Sequence, residues 1–369
     1  MRVPRNVVNM ISDTVTQPCA RMRQAMATAV VGDDVHGTDP TVRELQRTAA
    51  DLLGKPAALF VPSGTMGNLI AVGVHCNRGD EVILGNKSHV FKYEGGGVSA
   101  FLGASMHTVP NQPNGELRLD DVEAAIRDDD PHYPKTKLVI VENTHNTCGG
   151  RVVSTDAVAA IGALCVRRGL HLHIDGHHCH NVYTCIRFCI ILGARLANAS
   201  VYLDQSMAEM VAPVDSVSLC LSKGLGAPAG SIIAGSEDFI YHATRLRKAL
   251  GGGMRQSGVL AAAGLVALGN IDRLAIDHSN ALRLALGLAK IPGIHVNVDV
   301  VETNLVYFSL DAAAMSMVDF LAHLEDDHGV WLGGGYGKSG NQIRAALHLD
   351  VNQDDVEYTL KAINAVLSY

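Results

Sequence analysis

Three segments carry residue types that could do chemistry together. Ser63-Gly64-Thr65-Met66-Gly67-Asn68 follows the apolar run Ala57 to Val61 and opens a helical pattern. Free N–H groups at a helix start, with small residues allowing close approach, can seat a phosphate. The same stretch also reads as a plain strand–helix turn. Asp175 ends the run His171-Leu172-His173-Ile174; a carboxylate there could hold a ring nitrogen protonated, or simply cap a helix. Lys223 lies in Cys220-Leu221-Ser222-Lys223-Gly224-Leu225-Gly226-Ala227-Pro228. Lysine is costly to bury unless paired or deprotonated, and a low-dielectric seat makes it a usable amine nucleophile; the alternative is a surface loop lysine. Phosphate turn, acid, then lysine is the order of a pyridoxal-phosphate site. A dinucleotide site would need G-x-G-x-x-G and an acid about 20 residues later, a spacing the first strand–turn–helix lacks.

These groups fall at strand ends. Short apolar runs (Ala57 to Val61, Glu81 to Leu84, Lys137 to Val141, His171 to Asp175, Val217 to Leu221) alternate with helical patterns. One such helix opens at Thr155 and Asp156, carries Val158, Ile161, Leu164 and Cys165 on one face, and stops at Gly169. The alternation predicts an α/β fold: a large domain with a mostly parallel, seven-stranded type of sheet covered by helices. Ligands of such sheets sit beyond the carboxyl ends of the strands. From about residue 270 the pattern changes to a helix near Asn270 to Lys290, strands near Ile294 to Val298, Asn304 to Leu310 and Gln342 to Leu347, and a last helix with Val356, Leu360, Ile363 and Leu367 on one face. The expected division is an N-terminal segment, 1–20, contributing to the active site, a large cofactor domain, 21–269, and a smaller α+β C-terminal domain, 270–369.

Bulk properties narrow the function class. The 369 residues exceed one small core. A net charge of −7 and 5% aromatics argue against a nucleic-acid partner. No apolar run reaches membrane-spanning length, and the first residues lack an apolar signal core. Eight cysteines without a regular framework fit reduced thiols. We therefore expect a cytosolic (cytoplasmic) location, with no membrane and no nucleic acid.

The motifs, taken in order, resemble the L-threonine aldolases of fold type I, the aspartate-aminotransferase-like pyridoxal-phosphate enzymes. The resemblance runs from about Ser12 to the C-terminus, strongest through Leu268. It rests on Ser12-Asp13-Thr14-Val15-Thr16, Val31-Gly32-Asp33-Asp34-Val35, Pro62 to Asn68, Ser88-His89, Glu142-Asn143-Thr144-His145-Asn146, the lysine segment, and Gly251-Gly252-Gly253-Met254-Arg255-Gln256-Ser257-Gly258. It implies retro-aldol cleavage of threonine or allo-threonine to glycine and acetaldehyde. Lys223 would hold pyridoxal 5'-phosphate as a Schiff base and Asp175 would pair with its ring nitrogen. Gly64 and Thr65 would bind the phosphate, and Arg255 would reach a phosphate across a subunit interface. His89 would stack on the ring near the substrate hydroxyl, with His145 a second histidine there. Ser12 and Arg344 would hold the substrate carboxylate. The family implies a homotetramer, a pair of tight dimers. Another fold type I amino-acid lyase, or a catalytically impaired relative, are the alternatives.

The chain's main departure from the pattern falls at one place. The family motif Asp-Gly-Ala-Arg is unbroken; here Asp175-Gly176 is followed by His177-His178-Cys179-His180, and Ala-Arg returns only at Ala194-Arg195. We map the motif arginine, a cofactor and substrate ligand, to Arg195. Residues 177–193 read as an insertion. A metal loop is disfavoured because adjacent residues cannot easily all face one ion, so no metal is expected. A lid or interface loop is a second reading, and translated non-coding sequence, such as an unspliced short intron, is the one we favour. Two smaller departures are Ile11, where the family has Arg, and His36, where it has Tyr.

Overall fold

Parallel strands must be joined by crossovers long enough to hold a helix, and this chain supplies them. The computed structural model describes residues 7–174, 190–193, 195–214, 216–311, 315–337 and 340–368. A first strand, β1 (Val8–Met10), precedes the large sheet of β2 (Ala57–Val61), β3 (Glu81–Gly85), β4 (Ser105–Val109), β5 (Thr136–Glu142), β6 (His171–Ile174), β7 (Ile190–Gly193), β8 (Ser216–Cys220) and β9 (Ser231–Gly235). Its order is β2-β9-β8-β7-β5-β3-β4, with β6 also on β5. Only β9 runs antiparallel to its neighbours. β3 and β8 are buried along their whole length, as strands covered on both faces must be.

Helices cover both faces. The helix Gly258–Leu268 packs on Ala20–Ala27 and Pro40–Leu52. Its small residues permit this: a methyl on Gly264 would come within 2.9 Å of Leu45 and 3.1 Å of Leu221. The helix Thr155–Arg168 is capped by Ser154 Oγ and ends at Gly169 in the left-handed region (φ 64°), burying Val158, Ile161, Leu164 and Cys165 as the spacing predicts. Beyond the helix Leu274–Leu288, a second sheet takes β10 (Ile294–Val296), β11 (Leu305–Leu310), β12 (Val330–Tyr336) and β13 (Gln342–Ala346) in the order β1-β12-β13-β11-β10. β1 pairs parallel to β12, so the N-terminal segment is stitched into the C-terminal sheet and its core of Met10, Phe308, Phe320 and Ile363. The glycine-rich strand β12 and the short β4 and β9 were not evident from periodicity. Among the described residues, no helix is long and apolar enough to cross a membrane.

One strand slot, between β5 and β8, is filled in two pieces. β6 takes its lower half, with His171 opposite Leu138 and Leu172 opposite Val139. β7 takes the upper half, with Ile190 opposite Ile140, Ile191 opposite Val141 and Leu192 opposite Glu142. β7 also pairs with β8, Leu192 facing Ser218 and Gly193 facing Leu219. Carrying β6 on in its own register would put position 175 opposite Glu142, the place that Leu192 holds. The last four residues of the apparent insertion, 190–193, are thus paired in the large sheet. Ile190-Ile191-Leu192 is an apolar run with two β-branched residues, a composition suited to a parallel strand. Asp175 and the cluster His177, His178, Cys179 and His180 lie outside the described residues.

Deleting 177–193 joins Asp175-Gly176 directly to Ala194-Arg195 and lets one strand fill the slot. Closing a loop of roughly fifteen residues costs about 2 kcal/mol, so the deletion variant should show a higher urea midpoint by that order. A midpoint equal to or below that of the full chain would contradict the shared slot.

Candidate active site

The carboxyl ends of β2, β3, β5 and β8 open onto one cavity of about 300 Å³. At β2, Ser63 caps the helix Gly64–His75, its Oγ accepting from Met66 N–H at 3.2 Å. Ser63 carbonyl accepts from Gly67 N–H. The N–H groups of Gly64 and Thr65 have no acceptor within the helix, and both residues line the cavity. At β8, the chain leaves the sheet in a tight loop. Gly226 N–H donates to Lys223 carbonyl at 2.8 Å and Ala227 N–H to Leu221 carbonyl at 3.0 Å. Gly226 has φ +84°, and a methyl on it would collide with Leu349, so only glycine closes this turn. Thr16 Oγ1 also donates to Lys223 carbonyl. Lys223 lines the cavity from this loop, as Gly64 and Thr65 do from theirs.

β3 and β5 bring a histidine and two carboxylates. His89 begins a short helix after β3. Its backbone N–H donates to Glu142 Oε2 at 2.7 Å, and Asn146 N–H donates to Glu142 Oε1 at 3.0 Å. His89, Glu94 and Glu142 all line the cavity. His145 does not. It is wholly buried behind the wall, 3.8 Å from Glu142, with no hydrogen bond to either ring nitrogen. Burial pushes its imidazole down from the ordinary histidine range, and Glu142 only partly offsets this.

Two arginines close the far side. Arg195, buried, forms a two-point pair with Asp13: Nε to Oδ2 at 2.7 Å and Nη2 to Oδ1 at 2.8 Å. Burial pushes the Asp13 carboxyl up, but the charge and hydrogen bonds of Arg195, with help from Lys223 and Asn304, outweigh it and hold it well below the usual range. Arg344, on β13, donates from Nη1 to Asn146 Oδ1 at 3.1 Å and from Nη2 to Ile11 carbonyl at 2.7 Å, and lies over the Tyr336 ring at 4.6 Å. Its Nε is buried without a partner. Arg195 Nη1 reaches the same Asn146 Oδ1 at 3.4 Å. Tyr307 hydroxyl donates to Asn146 carbonyl; burial, opposed by Arg344 and Arg195, pushes it up to about 12, so it stays a donor.

Of the expected site residues, the structure brings together Ser12, Gly64, Thr65, His89, Arg195, Lys223 and Arg344. Arg255 stands apart, more than half exposed and paired with Asp33 at 2.9 Å. Asp13, Glu94, Glu142 and Asn146 had been given no role. Asp13, Glu142 and Asn146 stand inside motifs already noted, so the signal was present. Glu94 is placed beside His89 by the turn Tyr93-Glu94-Gly95-Gly96, which no spacing rule flags.

The beta-eliminating lyase family profile matches residues 9–311. The chain belongs to the beta-eliminating lyase family. A low-specificity L-threonine aldolase of Arabidopsis thaliana is 45% identical over 364 residues, covering 98% of this chain and 96% of that one. The low specificity L-threonine aldolase of Escherichia coli (strain K12) is 43% identical over 280 residues, 76% of this chain and 78% of its own. The solved structure of Leishmania major threonine aldolase has a TM-score of 0.80 at 22% identity, covering 98% of this chain and 99% of that one, which shows the fold. This lyase is a pyridoxal-phosphate enzyme of fold type I. The donor set fits that cofactor: helix-start amides and the Thr65 hydroxyl for a phosphate, an amine and an imidazole, all lining one cavity. Glu94 and Glu142, the acids among the described lining residues, are already engaged.

Asp13 contributes stability above the ordinary carboxylate pKa of about 4, and that contribution is lost as pH falls below it toward the depressed folded value. Asp13→Asn leaves the buried Arg195 charge uncompensated, which should cost about 3–5 kcal/mol at pH 7. Urea unfolding from pH 7 to pH 3 checks this: the gap between the two proteins should shrink as pH falls. A constant gap would contradict it.

Proposed function

We propose that the chain cleaves L-threonine and L-allo-threonine to glycine and acetaldehyde, in line with relatives named low-specificity L-threonine aldolases. One observation carries the reading: Gly64, Thr65, Lys223, His89, Ser12 and Arg344 share one cavity at the strand ends. Bound there, pyridoxal phosphate supplies an electron-accepting ring that stabilises the negative charge left at Cα. The residues do the rest. Gly64 and Thr65 would hold the cofactor's phosphate, and Lys223 is the amine that would hold the cofactor in place. Ser12 and Arg344 fix the substrate carboxylate, for which an arginine fork is suited. Arg195 steadies the cofactor and the carboxylate side through Asn146. His89 takes the β-hydroxyl proton so that the Cα–Cβ bond can break. It is preferred to His145, which does not reach the cavity. Arg255 serves a neighbouring subunit's phosphate in a homotetramer, a dimer of dimers. The expected setting is the cytosol, in threonine breakdown and glycine formation.

A second reading, of a chain impaired as it stands, draws on the shared strand slot. The strand position opposite Glu142 is taken by Leu192, from the arginine end of the motif rather than its acid end. Deleting 177–193 should therefore raise both cofactor affinity and threonine cleavage, and equal values would contradict the second reading.

The main test is product analysis with L-threonine. Acetaldehyde and glycine in equal amounts are expected, while pyruvate and ammonia would assign a different lyase activity. His89→Ala should lower kcat by about 10²–10⁴-fold. Arg344→Lys should raise KM about tenfold or more, since lysine lacks the planar fork. Unchanged kinetics in either variant would remove that residue from the site.

A further inference from the structure

His89 is held at its backbone and at its ring, and one of its holders has no assigned role. Glu94 Oε1 lies 2.8 Å from His89 Nδ1 and accepts from Asn68 Nδ2 at 2.7 Å. The Glu94 side chain is 4% exposed, while the imidazole it touches is 36% exposed at the cavity. Two features of the chain fix the carboxylate there. Gly95 and Gly96 both take positive φ, 63° and 67°, in the turn that follows it, and Gly97 N–H closes on Glu94 carbonyl at 3.1 Å. Asn68, nearly buried, reaches it from the first turns of the Gly64–His75 helix. Glu142 meanwhile holds the backbone N–H of His89, so the residue is held at its backbone and at one ring nitrogen.

The geometry points to Glu94 as the positioning residue that fixes the protonation pattern of His89. An amide N–H can only donate, so the shared oxygen is an acceptor. His89 Nδ1 must then be the donor. That places the ring proton on Nδ1 and leaves Nε2 as the free lone pair, the atom available to take a proton from a substrate hydroxyl. A carboxylate behind the ring also stabilises the imidazolium that forms when Nε2 gains that proton, the role an acid plays behind a catalytic histidine elsewhere. Glu94 acts through His89 and needs no contact with substrate. The inference deepens the reading of His89 as the base and rests on it.

Glu94→Gln is nearly isosteric and keeps an acceptor but removes the charge. It should lower kcat about 10- to 100-fold, as loss of a partner behind a functional histidine does, with KM and cofactor content near those of the parent. The acid limb of the kcat/KM profile should move to lower pH, because the imidazole loses its anionic neighbour. In a His89→Ala background the same substitution should have almost no further effect. A second readout does not depend on turnover: ¹⁵N NMR of the His89 ring should show the proton on Nδ1 in the parent and a mixture of tautomers in Glu94→Ala. An unmoved acid limb, an undiminished effect in the His89→Ala background, or a parent ring protonated on Nε2 would each overturn the inference. If the parent cleaves no threonine, the proposed function fails, and the ring-nitrogen measurement still decides the role of Glu94.

Discussion

The buried pair between Asp13 and Arg195 is the interaction on which the site depends. It joins a residue of the N-terminal segment, itself stitched into the C-terminal sheet, to a residue just beyond the upper strand slot of the large sheet. Neither charge can be left alone at that depth. Asn304 adds a third contact to Asp13 and also bonds Leu347 carbonyl. The two sheets therefore meet through a charge network, and the cavity lies where they meet. Asn146 extends that network, since its side chain takes both Arg195 and Arg344 while Glu142 and Tyr307 hold its backbone. Holding catalytic groups on rigid strand ends with such supports is what keeps their geometry within the small tolerance that catalysis allows.

The strand slot between β5 and β8 sets the second constraint. The segment that reaches Arg195 must come up through it, because Arg195 follows β7 by a single intervening residue. Two segments of this chain have the composition for the upper half of that slot, and only one can occupy it. Ile190 to Gly193 holds it, and Arg195 still meets Asp13. The arginine half of the motif is therefore in place independently of where its acid half lies.

Much of this was legible in the sequence. The strand ends bearing Ser63, His89 and Lys223, the helix of Thr155–Arg168 and the change of pattern near residue 270 follow from periodicity and turn chemistry. The cavity residues Ser12 and Arg344 came from resemblance, because nothing local in either segment announces a ligand. Other parts were hidden for physical reasons. β12 contains Gly333-Gly334-Gly335, which lacks any strand propensity and is held by pairing to β1 and β13. His145 stands in a matching motif, but a motif fixes position along the chain and not depth. Glu94 was silent because its partner Asn68 is distant in sequence and only the tertiary fold brings them together. The use of Ile190 to Gly193 as a strand was masked by the polar, cysteine-rich stretch before it.

The central claim is that Lys223 is the amine that holds the cofactor in this cavity. It is tested most directly by loading the purified chain with pyridoxal phosphate, reducing with borohydride and mapping the modified peptide by mass spectrometry. The account predicts one stable adduct, on Lys223, lost in Lys223→Ala. An adduct on another lysine, such as Lys87 beside the second cavity, or no adduct even after deletion of 177–193, would contradict it.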